Sequence, residues 1–391
     1  MYNLVFFDDT LDIFSTLIVF VLGSFLIYKT SNIFETTKTR VLGLYIWHTV
    51  FSLIYAFLSV GYSDAAKFYT DSIGIMPNLD IGSPAVIYIS GIFTNGFGLS
   101  FLGVFMVFNI FGSIGLLSID ASLRHATVNK SSLVQFIAML TVLLPSMSYW
   151  SGGIGKDSIA YMSTGLLLWA AIDSKKRYKF FYVSFLFMFM VRPHIGGLMI
   201  IAYFLSLLIN KNLPLIKFFF YLLVLLLVFK FIIPIVLEFA GFDDIISINS
   251  LKEYTNQRAT SNFYGDGSID ISSMSFNLKL FSYIFRPLPY EAHSLLSFFS
   301  SLENLFLLIV FIYSLFSILK FKKKKFILNH PKENRWFLLI FSVFSLILLS
   351  NVTSNLGISA RQKWMFLPIL LYFSFLFFGI RRVKDNNVTK T

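Results

Sequence analysis

The sequence predicts an all-α polytopic membrane protein, and three observations carry that prediction. Of its 391 residues 56% are hydrophobic and only 13% charged, where an average soluble domain has about 25% charged. Mean hydropathy is +0.74. Apolar runs close to the roughly 20 residues needed to cross a bilayer recur along the whole length. In lipid the backbone must satisfy its own hydrogen bonds, which a helix does and an open strand does not. The chain therefore reads as a single integral membrane domain, residues 1–391, with about 11 transmembrane helices and long external loops at about 61–98, 145–157, 238–293 and 351–363.

The apolar runs, in order, are Leu11 to Tyr28, Val41 to Val60, Leu99 to Leu117, Ser132 to Leu144, Ser158 to Ile172, a broken pair from Phe180 to Asn210, Leu215 to Val236, Ser294 to Leu319, Trp336 to Leu349 and Trp364 to Ile380. The first has no basic residue before it and no small-residue cleavage site after it, so it reads as a retained helix rather than a signal peptide. Ala85 to Phe97, interrupted by Gly91, Asn95 and Gly96, reads as a short helix lying in the interface. The broken pair is about thirty residues, too long for one comfortable span and short for two. Proline donates no backbone hydrogen bond and disfavours helical geometry at the residue before it, which places a break at Arg192-Pro193-His194. At such a position Arg192 and His194 must face protein, water or a bound anion; snorkelling to the interface is the plainer alternative.

The net charge of +12 would suggest nucleic acid in a soluble protein, but in a membrane protein cations are first sorted by side. Placing Lys29, Lys38 and Arg40 inside also places Arg124, Lys130, Lys175, Lys176, Arg177, Lys179, Lys211, Lys217, the basic stretch Lys320 to Arg335, Arg381 and Arg382 inside. With Lys384 and Lys390 in the tail, 22 of the 32 Lys and Arg residues are then cytoplasmic. The excess reports orientation, and no nucleic acid partner is expected. Lys322 to Lys325 read as a topological anchor that also meets anionic lipid headgroups. The absence of cysteine excludes disulfides and thiolate chemistry.

Six of the remaining cations sit near helix ends or in polar loops on the expected outer side: Lys67, Lys156, Arg192, Arg286, Arg361 and Lys363. Such charges suit a phosphate, arginine through its planar fork and lysine as a point charge. The first outer loop, GYSDAAKFYTDSIGIMPNLDIGSP, offers Asp64 as a general base toward a hydroxyl, with Lys67 beside it and Tyr62, Phe68 and Tyr69 as walls for a sugar or lipid. Asp71 and Asp80 read as solvated loop charges or turn formers. In the second, PSMSYWSGGIGKDS, Gly152, Gly153 and Gly155 allow close backbone approach to a ligand, and Lys156-Asp157 open a helix whose dipole attracts anions. The spacing is wrong for a nucleotide phosphate loop, and Asp157 reads as a helix cap.

In the third loop, YTNQRATSNFYGDGSID reads as a lid. The stretch FRPLPYEAHS that follows holds Arg286, Glu291 and His293 near a helix start. Glu291 with His293 is a second acid/base candidate ranked below Asp64, and a capping or salt-bridge role stays open for it. The fourth loop, NVTSNLGISARQKW, sets Arg361, Gln362 and Lys363 directly before the last helix. No dense set of Asp, Glu and His has metal-ligand spacing, so no metal is expected.

PSMSYWSGGIGKDS, VRPHIGG, FRPLPYEAHSLLSFFSSLE and NLGISARQKWMFLP resemble, in that order, blocks of bacterial membrane proteins from polysaccharide clusters: Wzy-type O-antigen polymerases and related GT-C-like glycosyltransferases. With the first outer loop, the likeness runs from about Gly61 to Pro368. It implies a helical inner-membrane enzyme with its site facing the periplasm, and a polyprenyl-pyrophosphate-linked oligosaccharide as donor and as acceptor. It implies no cofactor; membrane lipid and a chain-length regulator are the further partners it suggests. On this resemblance the phosphates sit against Arg192, Arg286, Arg361 and Lys156, while Asp64 activates the attacking hydroxyl. GT-C enzymes often carry an acidic residue in the first outer loop, which Asp64 matches, although here it follows the second helix rather than the first. Two alternatives remain open. One is a GT-C transferase adding a single sugar from a polyprenyl-phosphate donor. The other is a lipid-linked oligosaccharide flippase, which would show an internal repeat or paired broken helices.

Overall fold

Two helices that touch backbone to backbone form the centre of the protein, and glycine makes the contact possible. In the computed structural model, which describes residues 6, 9–61, 63–74, 76, 78–209, 213–240, 260, 267–271, 273–320 and 332–378, these are Phe101–Thr127 and Lys156–Ile172. A β-carbon at Gly165 would lie 2.5 Å from the carbonyl oxygen of Gly115. Lipid tails are as apolar as leucine, so membrane helices associate through such close packing rather than through loss of water contact. Buried serines in both helices bond their own backbone one turn back: Ser118 and Ser122 to Ile114 and Ser118, and Ser163 to Ile159. These bonds satisfy the three hydroxyls within their own helices.

The described helices are α1 (Thr10–Lys29), α2 (Lys38–Ser59), α3 (Asp64–Thr70), α4 (Ser83–Phe97), α5 (Phe101–Thr127), α6 (Ser132–Val142), α7 (Pro145–Ser151), α8 (Lys156–Ile172), α9 (Tyr178–Val191), α10 (Pro193–Leu208) and α11 (Leu215–Ala240). They continue as α12 (Phe276–Phe285), α13 (Leu295–Lys320), α14 (Arg335–Val352), α15 (Leu356–Gln362) and α16 (Leu367–Phe377). Among the described residues the regular structure is helical, apart from one isolated bridge between Ser268 and Asn355. Among the described residues six segments are long and apolar enough to cross a membrane: α1, α2, α5, the α6–α7 segment Ser132–Ser151, α13 and α14. Shorter apolar helices are α9, α10 and α16. α1 illustrates the lipid-facing type, with Leu11, Phe14, Ile18, Val21 and Phe25 all exposed. An apolar surface of that extent needs a lipid or protein neighbour.

The break expected at Arg192-Pro193-His194 is present. Arg192 leaves helical geometry (φ −142°, ψ 74°), ends α9 and precedes α10. Its amide still donates to Met188 C=O, and its carbonyl accepts from Ile195 and Gly196, so Pro193 leaves little of the backbone unsatisfied. The helix expected over Ala85 to Phe97 forms as α4, and the run from Leu99 continues to Thr127 rather than ending at Leu117. The loop at 61–98 thus carries two helices. The lid segment is largely outside the described residues, as are Tyr62, Lys211, Lys252, Arg258, Lys322 to Lys325 and the tail cations Arg381, Arg382, Lys384 and Lys390.

Buried polar contacts fix the helices in register. His48 lies between Asn109 (2.6 Å) and Ser151 (2.9 Å), joining α2, α5 and α7. Arg40 and Arg124 both pair with buried Asp120. Lys130 donates to the carbonyls of Leu376 and Phe378 at the end of α16, where a cation meets the negative end of the helix dipole.

Candidate functional site

Four separate stretches of sequence deliver charge to one end of the bundle, and Asp157 is where they meet. It is the second residue of α8, whose N-cap Gly155 makes no side-chain capping bond. Instead of capping, the carboxylate takes two arginines. One oxygen accepts from Arg192 at 2.5 Å, and the other lies 3.1 Å from Nε of Arg361. The second contact is an ion pair without hydrogen-bond alignment, since that Nε has no geometric acceptor. Arg361 also donates through Nη1 to Asp64 at 3.1 Å, so one guanidinium bridges the two carboxylates. Lys156 donates to Ser83 at 3.1 Å, tying the start of α8 to the start of α4. The amide of Gly82, just before α4, reaches the carbonyl of Met190 beside the break at 2.7 Å.

Each of these groups is placed by a local rule. Asp64 opens α3, where Ser63 caps the helix and an acidic residue favours the positive end of the dipole. Arg192 is held at the break by Pro193 and is 6% exposed. Arg361 sits in the last turn of α15, whose N-cap Asn355 accepts from the amides of Gly357 and Ile358. The neighbouring Asp157 carboxylate raises the Arg361 pKa above its ordinary value, so the group stays charged. Asp64 differs from Asp157 in access: its side chain is 62% exposed, against 17%.

Aromatic residues line the same region. Tyr55 lies within electrostatic range of Arg361, Asp157 and Asp64, and its ring is 4.8 Å from Tyr149 and 5.9 Å from Trp150. Tyr283 of α12 is within range of Arg192 and Asp157, and its hydroxyl has no protein partner. The Nε atom of Arg192 is likewise buried without an acceptor. Three cations face two carboxylates here, which leaves a net positive charge and buried donors in reserve. An arrangement of that kind binds an oxyanion, with the guanidinium forks as principal ligands.

The structure brings together Asp64, Lys156, Arg192 and Arg361 from the sequence-derived set. Other members are placed differently. Lys67 is exposed on α3. His194 is half-buried in the first turn of α10. Arg286 pairs with Glu291 at 2.6 Å, and Glu291 also accepts from the amide of Leu288, which is the salt-bridge reading of that residue. Burial of Glu291 opposes its charge, but Arg286 and the Leu288 amide outweigh that and hold the carboxyl below its usual range. Lys363 is buried, with its amine donating to Asn304 Oδ1 at 2.5 Å and to the Ile284 carbonyl at 3.3 Å. Nearby, Glu303 accepts from both the amide and the hydroxyl of Ser146.

Two local expectations need correction. Gly152 and Gly153 serve packing rather than ligand approach: a β-carbon at Gly153 would lie 2.3 Å from the Tyr55 ring, and one at Gly152 would lie 2.8 Å from Ser52. Only Gly155 has open space beside it. Phe68 is buried, and Tyr69 packs on Phe101, so these aromatics support α3 from beneath rather than walling a sugar. Sequence reasoning missed Asp157, Tyr55 and Tyr283 as parts of the site; the Lys156-Asp157 pair behind three glycines was the available signal. No family model, curated protein or solved structure matches the chain.

Proposed function

We propose that the chain is a bacterial polysaccharide polymerase of the inner membrane, with about 11 spans in a GT-C-like arrangement and its site facing the periplasm. It transfers a glycan from polyprenyl pyrophosphate to the hydroxyl of a lipid-linked acceptor. The observation that supports this reading best is the convergence of Asp64, Lys156, Asp157, Arg192 and Arg361 at one end of a helical membrane bundle. Separately, each of these charges has a bland explanation. Together they form a fixed cationic seat beside an exposed carboxylate.

In this mechanism the donor pyrophosphate docks against Arg192, Arg361 and Lys156. Asp64 takes the proton of the acceptor hydroxyl as its oxygen attacks the anomeric carbon. The new glycosidic bond forms while the anomeric carbon–phosphate oxygen bond breaks, and its electron pair leaves on the pyrophosphate. Charge grows on that leaving group, so fixed cations make the larger contribution, as preorganised donors generally do. Asp157 touches no reacting atom; it positions the two arginines.

The test is gel analysis of lipid-linked glycans from cells carrying Asp64→Asn or Arg192→Ala, with membrane abundance measured in parallel. A single repeat unit without a ladder is the expected result, at a loss on the order of a hundredfold or more in polymer for the base. An incomplete repeat unit would assign a single-sugar transferase instead. A normal ladder from both variants would remove this site and return the flippase reading.

A further inference from the structure

A cavity lies at the opposite end of α8. From Asp157 to Trp169 the helix rises roughly 18 Å at 1.5 Å per residue, and Trp169 lines a cavity of about 640 Å³. One wall of that cavity is apolar, built from Leu123 of α5 with Phe136, Met139 and Val142 of α6. The wall continues outward, because Phe136 and its neighbours Leu133 and Leu140 are exposed on the lipid-facing side of α6. The other wall is charged. Arg40 and Arg124 line it and share the single carboxylate of Asp120. The remaining carboxylate, Glu35, already pairs with Arg177.

Two guanidinium groups on one buried carboxylate leave one positive charge unneutralised. Both arginines remain about 30% exposed while Asp120 is 1% exposed, so the free charge is the part that a ligand meets. A partner complementary to this cavity carries a negative headgroup and an apolar tail on the same molecule. Basic pockets between membrane helices on the side rich in Lys and Arg hold anionic headgroups in this way.

We propose that the cavity binds one anionic phospholipid, its phosphate against Arg40 and Arg124 and an acyl chain along Phe136, Met139 and Val142. The site shares no residue with the charge cluster at Asp157. Its structural effect follows from Arg124, which also donates to the carbonyls of Phe34 and Glu35. A lipid phosphate there fastens the turn between α1 and α2 to α5 and α6.

The purified full chain, in neutral detergent, is offered phosphatidylglycerol, phosphatidylcholine or inorganic phosphate, and binding is read by native mass spectrometry and by thermal midpoint. Each basic group near an anionic headgroup is worth about a factor of five and one positive charge is unneutralised here, so a preference for phosphatidylglycerol of about fivefold is expected. Inorganic phosphate, lacking the tail, is expected neither to remain bound nor to raise the midpoint. Ala138→Trp places an indole at a position lining the cavity and should abolish the preference; Arg40→Gln should reduce it several-fold. Equal retention of the two lipids by the wild-type chain overturns the proposal, as does full stabilisation by inorganic phosphate or an undiminished preference in folded Ala138→Trp. Should Ala138→Trp not fold, the wild-type comparison decides alone.

Discussion

Asp64 and Asp157 share Arg361, yet their burial gives them opposite sensitivities. Asp64 is mostly exposed, and an exposed ion pair contributes at most about 1 kcal/mol. Asp157 is enclosed with Arg192, and removing one partner of such a pair leaves a buried charge uncompensated, at a cost of about 3 kcal/mol or more. Asp64→Asn should therefore leave the thermal midpoint in detergent close to wild type, while Asp157→Asn lowers it by several degrees and reduces membrane abundance. Equal midpoints for the two variants would show that Asp157 is not the buried anchor described. How far these residues were legible follows from the range of the interactions. The Arg192 break rests on proline chemistry within three residues, so sequence suffices. The role of Asp157 rests on Arg361, some two hundred positions away in the chain, which no local pattern encodes. Arg361 and Lys363 are adjacent in the loop reading but separate in space, because residues two apart on a helical turn point to different sides. One reaches the Asp157 cluster, and the other turns inward to Asn304.

At the scale of the element, α5 and α8 depend on the absence of side chains at their crossing. Gly165→Leu would drive the helices apart against the backbone of Gly115, an overpacking cost of about 3 kcal/mol. Loss of a monodisperse peak in fluorescence-detected size exclusion is the expected readout. Gly43 in α2 has nothing within 4 Å of a built β-carbon, so Gly43→Ala serves as the control and should elute as wild type. If both variants behave alike, the glycine contact does not hold these helices. Composition made the helices themselves legible, since apolar runs of the right length leave few alternatives. Their packing order was not, because small residues such as Gly115 and Gly165 look the same in a sequence whether they face lipid, a ligand or another helix. Gly152 and Gly153 show the resulting error: their permissive backbone suggested a ligand, whereas the space beside them is taken by Ser52 and Tyr55 of α2.

At the scale of the whole molecule, the proposed orientation puts the two ends of the bundle on different sides of the membrane. The chain contains no cysteine, so single cysteines report topology without background. Asn78→Cys, in the exposed stretch before α4, should react with an impermeant maleimide in intact spheroplasts. Asn32→Cys, in the turn between α1 and α2, should react only after permeabilisation. The reverse pattern would invert the orientation and move the Asp157 cluster to the cytoplasmic side. The order in which the cluster's parts leave the ribosome also matters. Asp64, Asp157 and Arg192 are all made before Arg361, and the first pair that can close is Asp157 with Arg192. The bridge to Asp64 waits for α15, which follows α14 in the chain. A chain that stops short of α15 thus has Asp157 paired with Arg192 and Asp64 without its ion-pair partner, and only a chain that includes α15 acquires the arginine that joins the two carboxylates.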